Sequence, residues 1–409
     1  MDNSNDANAA TVADFLSDAD RAAIRAPIEA ARTFPQRAYR SPSYFQLEVD
    51  RLFTRNWVAI GLASSIPKSG DMAPLEIFGY PVCLVRGQDE EVRVFHNVGA
   101  HDACPVVLER QLGATEVVGP YHGWRYDLTG RFIAAPYWDG THDPDVASLR
   151  ERGGDLKEIR SQQWQDIVFM DLSGACVSLE EFLSPVTALL NDYDMESFQL
   201  ANNTSDGDGI QRLTPRANWK SLWENYAANV LHASFVHEQY RDVVPVDDKG
   251  HRFDDEINDG VVKGVGFPTA ELTKMARKSD GQPVNYSYIL NTYPNLCLLA
   301  FPYRVRVGIL VPKPAESSEW LIGTYFASDC AVDPAYRELR EETQAATSRM
   351  LSVESAASAQ RLCDSIAPFD GPVVPDVNKM VARSCPNTSG SSLTSPAWGR
   401  SSSTTALRP

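Results

Sequence analysis

Two pairs of histidines carry the chemistry that this sequence suggests. The chain has only seven His, and two close groupings stand out among them: His101 with His122, and His232 with His237. Neutral imidazole is a common ligand for iron, zinc and copper. Two His and one carboxylate with open coordination positions are typical of a non-haem Fe(II) site that activates dioxygen. Both pairs are therefore candidate metal-ligand positions, and the elements around them must bring the side chains together.

The first pair lies in turn-rich loops that follow predicted β-strands. The runs PVCLVRG (81–87) and EVRVFHN (91–97) flank a polar turn and predict a hairpin. The run TEVVGPYHGWRYDLTGRFIAAP (115–136) predicts two further strands with their turn at 128–130. Together these strands predict a small antiparallel β-module over residues 39–163, preceded by a loosely held N-terminal arm over residues 1–38.

The second pair lies in a segment with helical periodicity, residues 218–240. Its two His are five residues apart, so they do not share one helical face, and one of them lies where the helix bends or ends. Strand-like runs between 285 and 328, followed by a long helical segment after Pro334, predict an α+β domain over residues 164–383. The Ser/Thr-rich tail over 384–409 has no periodicity and is predicted to be disordered.

The composition excludes several classes of function. The 409 residues include 38 Lys+Arg and 54 Asp+Glu, a net charge of −16, which argues against a nucleic-acid or anionic-membrane partner. No apolar run approaches the roughly 20 residues of a membrane span. The acidic, polar N-terminus does not resemble a signal peptide. Seven dispersed Cys without a CxxC pair predict reduced thiols and a cytoplasmic protein.

The surroundings of the first pair resemble the Rieske module of the non-haem iron oxygenases. That family's cluster motif is C-x-H, seventeen residues, then C-x-x-H, and His101 and His122 keep this spacing. Further matches follow the second motif: Trp124, Tyr126, Asp127 and Gly130. Both cysteine positions, however, hold glycine: Gly99 and Gly119.

This departure predicts that no cluster assembles. A Rieske centre holds one iron by two thiolates and the other by two imidazoles, whereas glycine offers no ligand atom. Cys104 is a single thiol three residues past His101, and we do not expect it to substitute. The [2Fe–2S] cluster that the resemblance implies is therefore predicted to be absent, leaving His101 and His122 as ordinary hydrogen-bonding residues or weak metal ligands.

The second pair resembles the iron site of the same family's catalytic domain, through the string NWK…ENY…H-x4-H. The resemblance implies that His232 and His237 are ligands of a mononuclear Fe(II) and that Asn225 lies near that iron. The family usually has an acid three residues before the first His, where it bridges the iron site to a neighbouring subunit's cluster. This chain has Asn229 there, and an amide cannot stabilise an imidazolium as a carboxylate does.

The third iron ligand of the family is an Asp on the long C-terminal helix. Counting back from Gln360 places that position near Ser352, and matching the preceding Glu of the family to Glu354 places it at Ser355. Both registers give Ser. Glu354 or Asp364 can supply a carboxylate outside the family register, and we take Glu354 as the candidate third ligand.

The resemblance covers residues 34 to 360 and implies both fold and activity. The implied fold is α+β, a Rieske-like antiparallel β domain joined to a helix-grip (START-like) catalytic domain. Family members form rings of three, in which the cluster of one subunit serves the iron of its neighbour. An active member takes electrons from NAD(P)H through a reductase or ferredoxin, activates dioxygen, and hydroxylates or demethylates an aromatic or small organic substrate.

Three parts of one electron path are altered together: the cluster thiolates, the bridging acid and the third iron ligand. Our leading hypothesis is a degenerate alpha-type subunit, acting as a structural or regulatory partner of an intact alpha subunit in a mixed trimer or hexamer. The alternative is an oxygenase subunit with a working mononuclear iron that receives electrons from a neighbour. Two further readings are a small-molecule binding protein and an inactive gene product, whose tail is either a changed reading frame or a divergent extension.

Overall fold

The computed structural model describes most of the chain, with gaps. The described residues are 11–26, 30, 32, 34–141, 147–201, 208–227, 255–259, 261–268, 284, 286–314, 317–327, 330–331, 333–345 and 348–349. Four candidate site residues lie outside this set: Asn229, His232, His237 and Glu354. Asn225 lies in a described helix, but only its backbone is described.

Four short helices open the described chain: α1 (Val12–Phe15), α2 (Asp18–Ile24), α3 (Gln36–Arg40) and α4 (Pro42–Arg51). The Ser17 side chain caps α2, and the Ser41 side chain caps α4 by accepting from the third backbone amide beyond it. The expectation of a loosely held arm is wrong for this part, because Leu16 and Ile24 are buried in the main core.

The β-module follows. Its strands are β1 (Val58–Leu62), β2 (Met72–Ile77), β3 (Tyr80–Arg86), β4 (Val92–His96), β5 (Val117–Val118), β6 (Arg125–Tyr126), β7 (Phe132–Ala134), β8 (Glu158–Trp164) and β9 (Ile167–Asp171). One antiparallel sheet has the order β1-β9-β8-β4-β3-β2, and a small second sheet has the order β5-β6-β7. The short helix α5 (Ala147–Glu151) lies between β7 and β8.

The strand predictions for this module hold with one difference. The predicted hairpin is confirmed, since β3 and β4 pair through five residue pairs from Val82↔His96 to Arg86↔Val92. The segment 115–136 forms three short strands rather than two. The reason is the turn between β5 and β6, where Gly123 has a positive φ of 72° and its amide bonds back to the carbonyl of Gly119.

A second, larger antiparallel sheet forms the rest of the fold. Its elements are α6 (Leu179–Leu189), β10 (Gln199–Leu200), β11 (Ile210–Leu213), α7 (Trp219–Ala227), β12 (Asp255–Asp259), β13 (Val262–Pro268), β14 (Tyr286–Thr292), β15 (Leu296–Phe301), β16 (Arg304–Pro312) and β17 (Ser318–Phe326). The strand order is β10-β17-β16-β15-β14-β13-β12, with β11 also paired to β17. Residues 337–345 are helical, as the sequence predicts. The α+β class is therefore confirmed. No helix within the described ranges has the length and apolarity needed to cross a bilayer.

The β-module and the large sheet share one hydrophobic core, which includes β1 from the module and β16 from the sheet. A buried amide joins them. The Asn295 side chain accepts from the Ala59 amide at 3.0 Å and donates to the carbonyls of Ala59 at 2.7 Å and Leu310 at 3.1 Å. Tyr325 adds a second link, because its hydroxyl donates to the Asp166 carboxylate at 2.6 Å.

Candidate functional site

Two loops at one end of the β-module bring the first pair of histidines together. We call residues 99–104, which follow β4, the first tip loop, and residues 119–124, which follow β5, the second tip loop. In the first tip loop, the Gly99 amide donates to the Cys104 carbonyl at 2.8 Å. The Ala103 amide donates back to the Gly99 carbonyl at 3.0 Å.

The second tip loop repeats this pattern. The Gly119 amide donates to the Trp124 carbonyl at 2.8 Å, and the Gly123 amide donates to the Gly119 carbonyl at 3.0 Å. The fifth residue of each loop has a positive φ, 57° at Ala103 and 72° at Gly123. The two loops therefore share one backbone hydrogen-bond pattern, and each loop presents one histidine.

The two histidine rings face each other across the loops, with centroids 5.0 Å apart. His101 stacks on Trp124, with centroids 4.9 Å apart and planes within 10°, and meets the edge of Trp138 at 4.8 Å. The exposed ring of Tyr121 lies 4.0 Å from the ring of His122. Aromatic packing thus fixes the orientation of His101.

Asp102 connects the two loops. Its Oδ2 lies 2.8 Å from Nδ1 of His122, and its Oδ1 accepts the Cys104 amide at 3.0 Å. The Asp102 side chain is 15 % exposed and the His122 side chain 41 %. Burial raises the pKa of Asp102, but the Cys104 amide and His122 outweigh it, so the pKa lies below its ordinary value. The sequence reading did not single out Asp102.

Asn97 holds the base of the first tip loop and was also not singled out. Its side chain is 4 % exposed. The amide oxygen accepts the backbone amides of Val106 and Val107, both at 2.9 Å, and the amide nitrogen donates to the Val107 carbonyl at 2.8 Å. These bonds reach nine and ten residues along the chain, so they differ from the local Asn turn that a sequence pattern predicts.

Glycine is not required by the backbone at either cysteine-equivalent position. Neither Gly99 nor Gly119 has a positive φ. A Cβ at position 119 would lie 3.5 Å from the Trp124 carbonyl oxygen, an ordinary contact. A Cβ at position 99 would lie 2.8 Å from Oδ1 of Asp102, so that carboxylate would have to move. The cavity between the loops is about 10 Å³, room for about one water molecule.

The donors at the tip do not match the ligand set of a [2Fe–2S] centre. Such a centre needs two thiolates in addition to two imidazoles. Gly99 and Gly119 carry no donor atom, and Cys104 is one partly buried thiol. In the part of the chain that the structure describes, no three or more His, Cys, Asp or Glu side chains are arranged to hold a metal ion.

A buried polar network fixes the start of α7, the helix that leads toward the second histidine pair. Lys220 Nζ lies 2.8 and 3.0 Å from the two carboxylate oxygens of Glu48 in α4. Trp219 Nε1 donates to Glu48 Oε2 at 3.0 Å. Lys220 Nζ also lies over the rings of Tyr39, Tyr44 and Trp219 at 5.2–5.5 Å. Burial raises the pKa of Glu48, and the Lys220 cation acts against that rise.

Exposed apolar side chains are frequent in the chain segment that contains the tip loops. Large hydrophobic residues at least 39 % exposed concentrate between positions 108 and 138: Leu108, Leu112, Val118, Tyr121, Ile133, Tyr137 and Trp138. Of these residues, Trp138 packs against His101 and Tyr121 against His122. A separate cavity of about 60 Å³ lies at the junction of the β-module and the large sheet, lined mainly by apolar side chains that include Trp164, Leu298 and Val307.

Two family models match the chain in succession. Residues 56–149 match the Rieske [2Fe-2S] domain, and residues 207–358 match the ring hydroxylating alpha subunit (catalytic domain). The first match contains both tip loops. The second contains α7 and the strands from β11 to β17.

Curated relatives match about half of the chain. The glycine betaine monooxygenase oxygenase subunit of Pseudomonas aeruginosa is 28 % identical over 47 % of this chain and 42 % of its own length. The carnitine monooxygenase oxygenase subunit of Escherichia coli is 26 % identical over 54 % of this chain and 56 % of its own length. The chain thus spans about half the length of the curated relatives it matches.

Solved structures share the fold over most of the chain. The quaternary ammonium Rieske monooxygenase CntA in complex with an inhibitor aligns with a TM-score of 0.69 and 18 % identity, covering 89 % of this chain and 96 % of CntA. Naphthalene 1,2-dioxygenase from Rhodococcus sp. aligns with a TM-score of 0.66 and 15 % identity, covering 90 % and 96 %. At these identities the likeness shows the fold.

Proposed function

Because this chain belongs to the Rieske oxygenase alpha subunits, with a Rieske domain followed by an alpha-subunit catalytic domain, we propose that it is a degenerate subunit of that kind. It lacks the [2Fe–2S] cluster and serves as a structural or regulatory partner of an intact alpha subunit in a mixed trimer or hexamer. The same proposal includes domain boundaries near residues 38, 163 and 383 and a cytoplasmic location.

The observation that carries this proposal is the chemistry of the two tip loops. They hold two imidazoles, while Gly99 and Gly119 supply no thiolate. Neither glycine is needed for a positive φ, and position 119 has room for a side chain. The backbone of the loops therefore does not require glycine at either position, which favours a change of function over a constraint of the fold.

Exposed aromatic residues in the segment that contains the tip loops support a protein partner. Tyr121, Tyr137 and Trp138 are 46–70 % exposed. Aromatic side chains are enriched at the centres of protein–protein interfaces. A mixed ring would cover this surface with the catalytic domain of an intact homologue.

The direct test is the content of iron and acid-labile sulfide per chain, measured on protein purified without air. The proposal predicts no sulfide. About two sulfides per chain, the content of a [2Fe–2S] centre, would contradict it.

Co-purification from the native host tests the partner separately. The proposal predicts an intact alpha subunit in the same particle, and recovery only as a homo-oligomer would count against it.

The second candidate is an oxygenase subunit whose mononuclear iron still works. In this reading His232, His237 and Glu354 hold Fe(II), Asn225 lies beside it, and Asn229 takes the place of the bridging acid. The buried contacts of Lys220 with Glu48 favour it, because they fix the helix that leads toward the ligands. Iron bound there would supply dioxygen activation toward an aromatic or small organic substrate. Electrons would come from a reductase or ferredoxin through an intact neighbour.

Iron stoichiometry separates the two candidates. About one iron and no sulfide per chain would favour the second candidate, and neither iron nor sulfide favours the structural subunit. Substrate-dependent dioxygen consumption by a mixed preparation, abolished by His232→Ala, would further support the enzyme reading. Consumption unchanged by that substitution would exclude it. Ligand binding that is indifferent to chelators would instead support a small-molecule binding protein.

A further inference from the structure

We propose that Asp102 and His122 form a clasp that ties the two tip loops together where intact relatives have an inorganic cluster. The inference rests on the proposed function, because it takes the cluster to be absent. It assigns to Asp102, a residue outside the metal motif, the task of joining the two halves of the tip.

Both carboxylate oxygens of Asp102 are engaged. Oδ1 accepts the Cys104 amide within the first tip loop at 3.0 Å. Oδ2 reaches across to Nδ1 of His122 in the second tip loop at 2.8 Å. The first contact fixes the carboxylate relative to its own loop, so the second contact can hold the other loop in register. The Asp102 side chain is 15 % exposed, whereas the His122 side chain at the other end of the contact is 41 % exposed.

The clasp occupies the space of the missing side chain. A Cβ built on Gly99 falls 2.8 Å from Oδ1 of Asp102, closer than real Cβ atoms approach. The other neighbours of that Cβ, the Cys104 carbonyl oxygen at 3.4 Å and a methyl of Val106 at 3.5 Å, leave it room. Asp102 is therefore the group that would have to shift if position 99 carried a thiol, so a thiolate there would disturb the clasp.

The second histidine of the tip is held by other means. His101 lies flat on Trp124 and meets the edge of Trp138, with centroid distances of 4.9 and 4.8 Å. Trp124 is 8 % exposed and belongs to the module's own hydrophobic cluster. Each histidine thus has a partner from the protein: a carboxylate for His122 and an indole surface for His101. Both rings therefore have protein contacts in the folded tip.

The test uses amide hydrogen exchange of the full-length protein in wild type, D102A and H122Q. The signature of a clasp is an effect across loops. D102A lies in the first tip loop and should raise the exchange rate of amides in the second tip loop about three- to tenfold. H122Q lies in the second tip loop and should do the same for amides in the first tip loop. This magnitude is expected for the loss of one partly exposed charged hydrogen bond. The double variant D102A/H122Q should add nothing, since either substitution alone opens the clasp.

D89A is the matched control, because Asp89 pairs with Arg93 at 2.6 Å elsewhere in the same module. It should leave exchange in both tip loops unchanged. Unchanged exchange in the opposite loop of both D102A and H122Q would overturn the proposal. Sulfide content of the same wild-type preparation separates the two failures. About two sulfides per chain would overturn the proposed function as well, whereas no sulfide with no cross-loop effect would overturn the clasp alone.

A second measurement tests the steric conflict between Asp102 and a thiol at position 99. After anaerobic incubation with iron and sulfide, G99C/G119C/D102A should retain several times more sulfide per chain than G99C/G119C. The restored thiolates provide the missing ligands, and D102A frees the space beside position 99. Equal retention by the two variants, including none in either, would contradict the statement that Asp102 is the group that occupies this place.

Discussion

Two ion pairs have the same separation of 2.8 Å between their polar atoms but different surroundings. One is His122–Asp102 at the tip, and the other is Lys220–Glu48, which links α7 to α4. At the tip, the side chains are 41 % and 15 % exposed. Beneath α7, they are 1 % and 7 % exposed, and the cation is enclosed by three aromatic rings. Water screens the first pair and competes for it, whereas it does neither for the second.

The distance between the polar atoms therefore does not by itself show which pair contributes more to stability. The cost of losing one partner depends on what the remaining charge can contact. At the tip, an unpaired His122 turns to solvent. Beneath α7, an unpaired Glu48 remains enclosed in protein, with the Trp219 indole as its other hydrogen-bond partner. The buried pair therefore governs the stability of the fold, and the exposed pair governs local order.

The largest effect is expected from K220M at pH 7. It removes the cation and leaves the buried Glu48 carboxylate uncompensated, which should lower the free energy of unfolding by about 3–5 kcal/mol. Denaturant unfolding would measure this. The matched control is E48Q/K220M, which removes both charges but keeps an acceptor for Trp219 Nε1, and it should recover most of the loss. A double variant as unstable as K220M would show that the charge is not the cause.

The next largest effect is expected in the pH dependence of the stability of K220M. Burial raises the pKa of Glu48 above its ordinary value of 4.5. The folded state therefore binds its proton more tightly than the unfolded state, and stability is lost as the pH rises above 4.5. Removing the Lys220 cation strengthens this trend. The cost of K220M should shrink between pH 7 and pH 4.5, and a cost that is constant over that range would contradict the assignment.

A smaller effect is expected from D102N. The pair at the tip is partly exposed, so its loss should lower the free energy of unfolding by about 0.5 kcal/mol, within the range of surface ion pairs. Thermal unfolding of D102N and wild type at pH 7 would measure it. A loss as large as that of K220M would show that the tip, too, behaves as a buried site.

The smallest effect is expected from D89N, which removes a surface pair with Arg93. At pH 7 D89N should be slightly less stable than the wild type, by less than D102N, because the Asp89 side chain is 48 % exposed. The hydrogen bonds from Arg93 lower the pKa of Asp89 to about 2. Its contribution is therefore present above pH 3.8 and is lost as the pH falls toward 2. A difference between D89N and wild type that is present at pH 7 and disappears as the pH falls toward 2 would agree, and one confined to the acid range would not.

The sequence predicted those parts of the molecule that depend on local pattern. The hairpin of β3 and β4 and the strands β14 to β17 follow from alternating or continuous apolar runs. The spacing from His101 to His122 was enough to expect paired loops, and the structure brings the two rings within 5.0 Å.

Contacts between distant residues could not be predicted in this way. Glu48 and Lys220 are 172 positions apart, and nothing in either local sequence identifies the partner. Asp102 was missed for another reason. An acid beside a histidine in a turn is common, and only the folded loops show that it reaches His122. The roles given to Asn225, Asn229, His232, His237 and Glu354 stay predictions.

The Asn295 bridge has a consequence for the order in which the chain matures. It joins β1 to a residue 236 positions later. At synthesis rates of about 5–20 residues per second, β1 waits on the order of 10 to 50 seconds for its partner to leave the ribosome. All five residues of that strand are buried in the finished fold. Part of the apolar surface of β1 therefore stays uncovered during this interval, when holding chaperones can bind it.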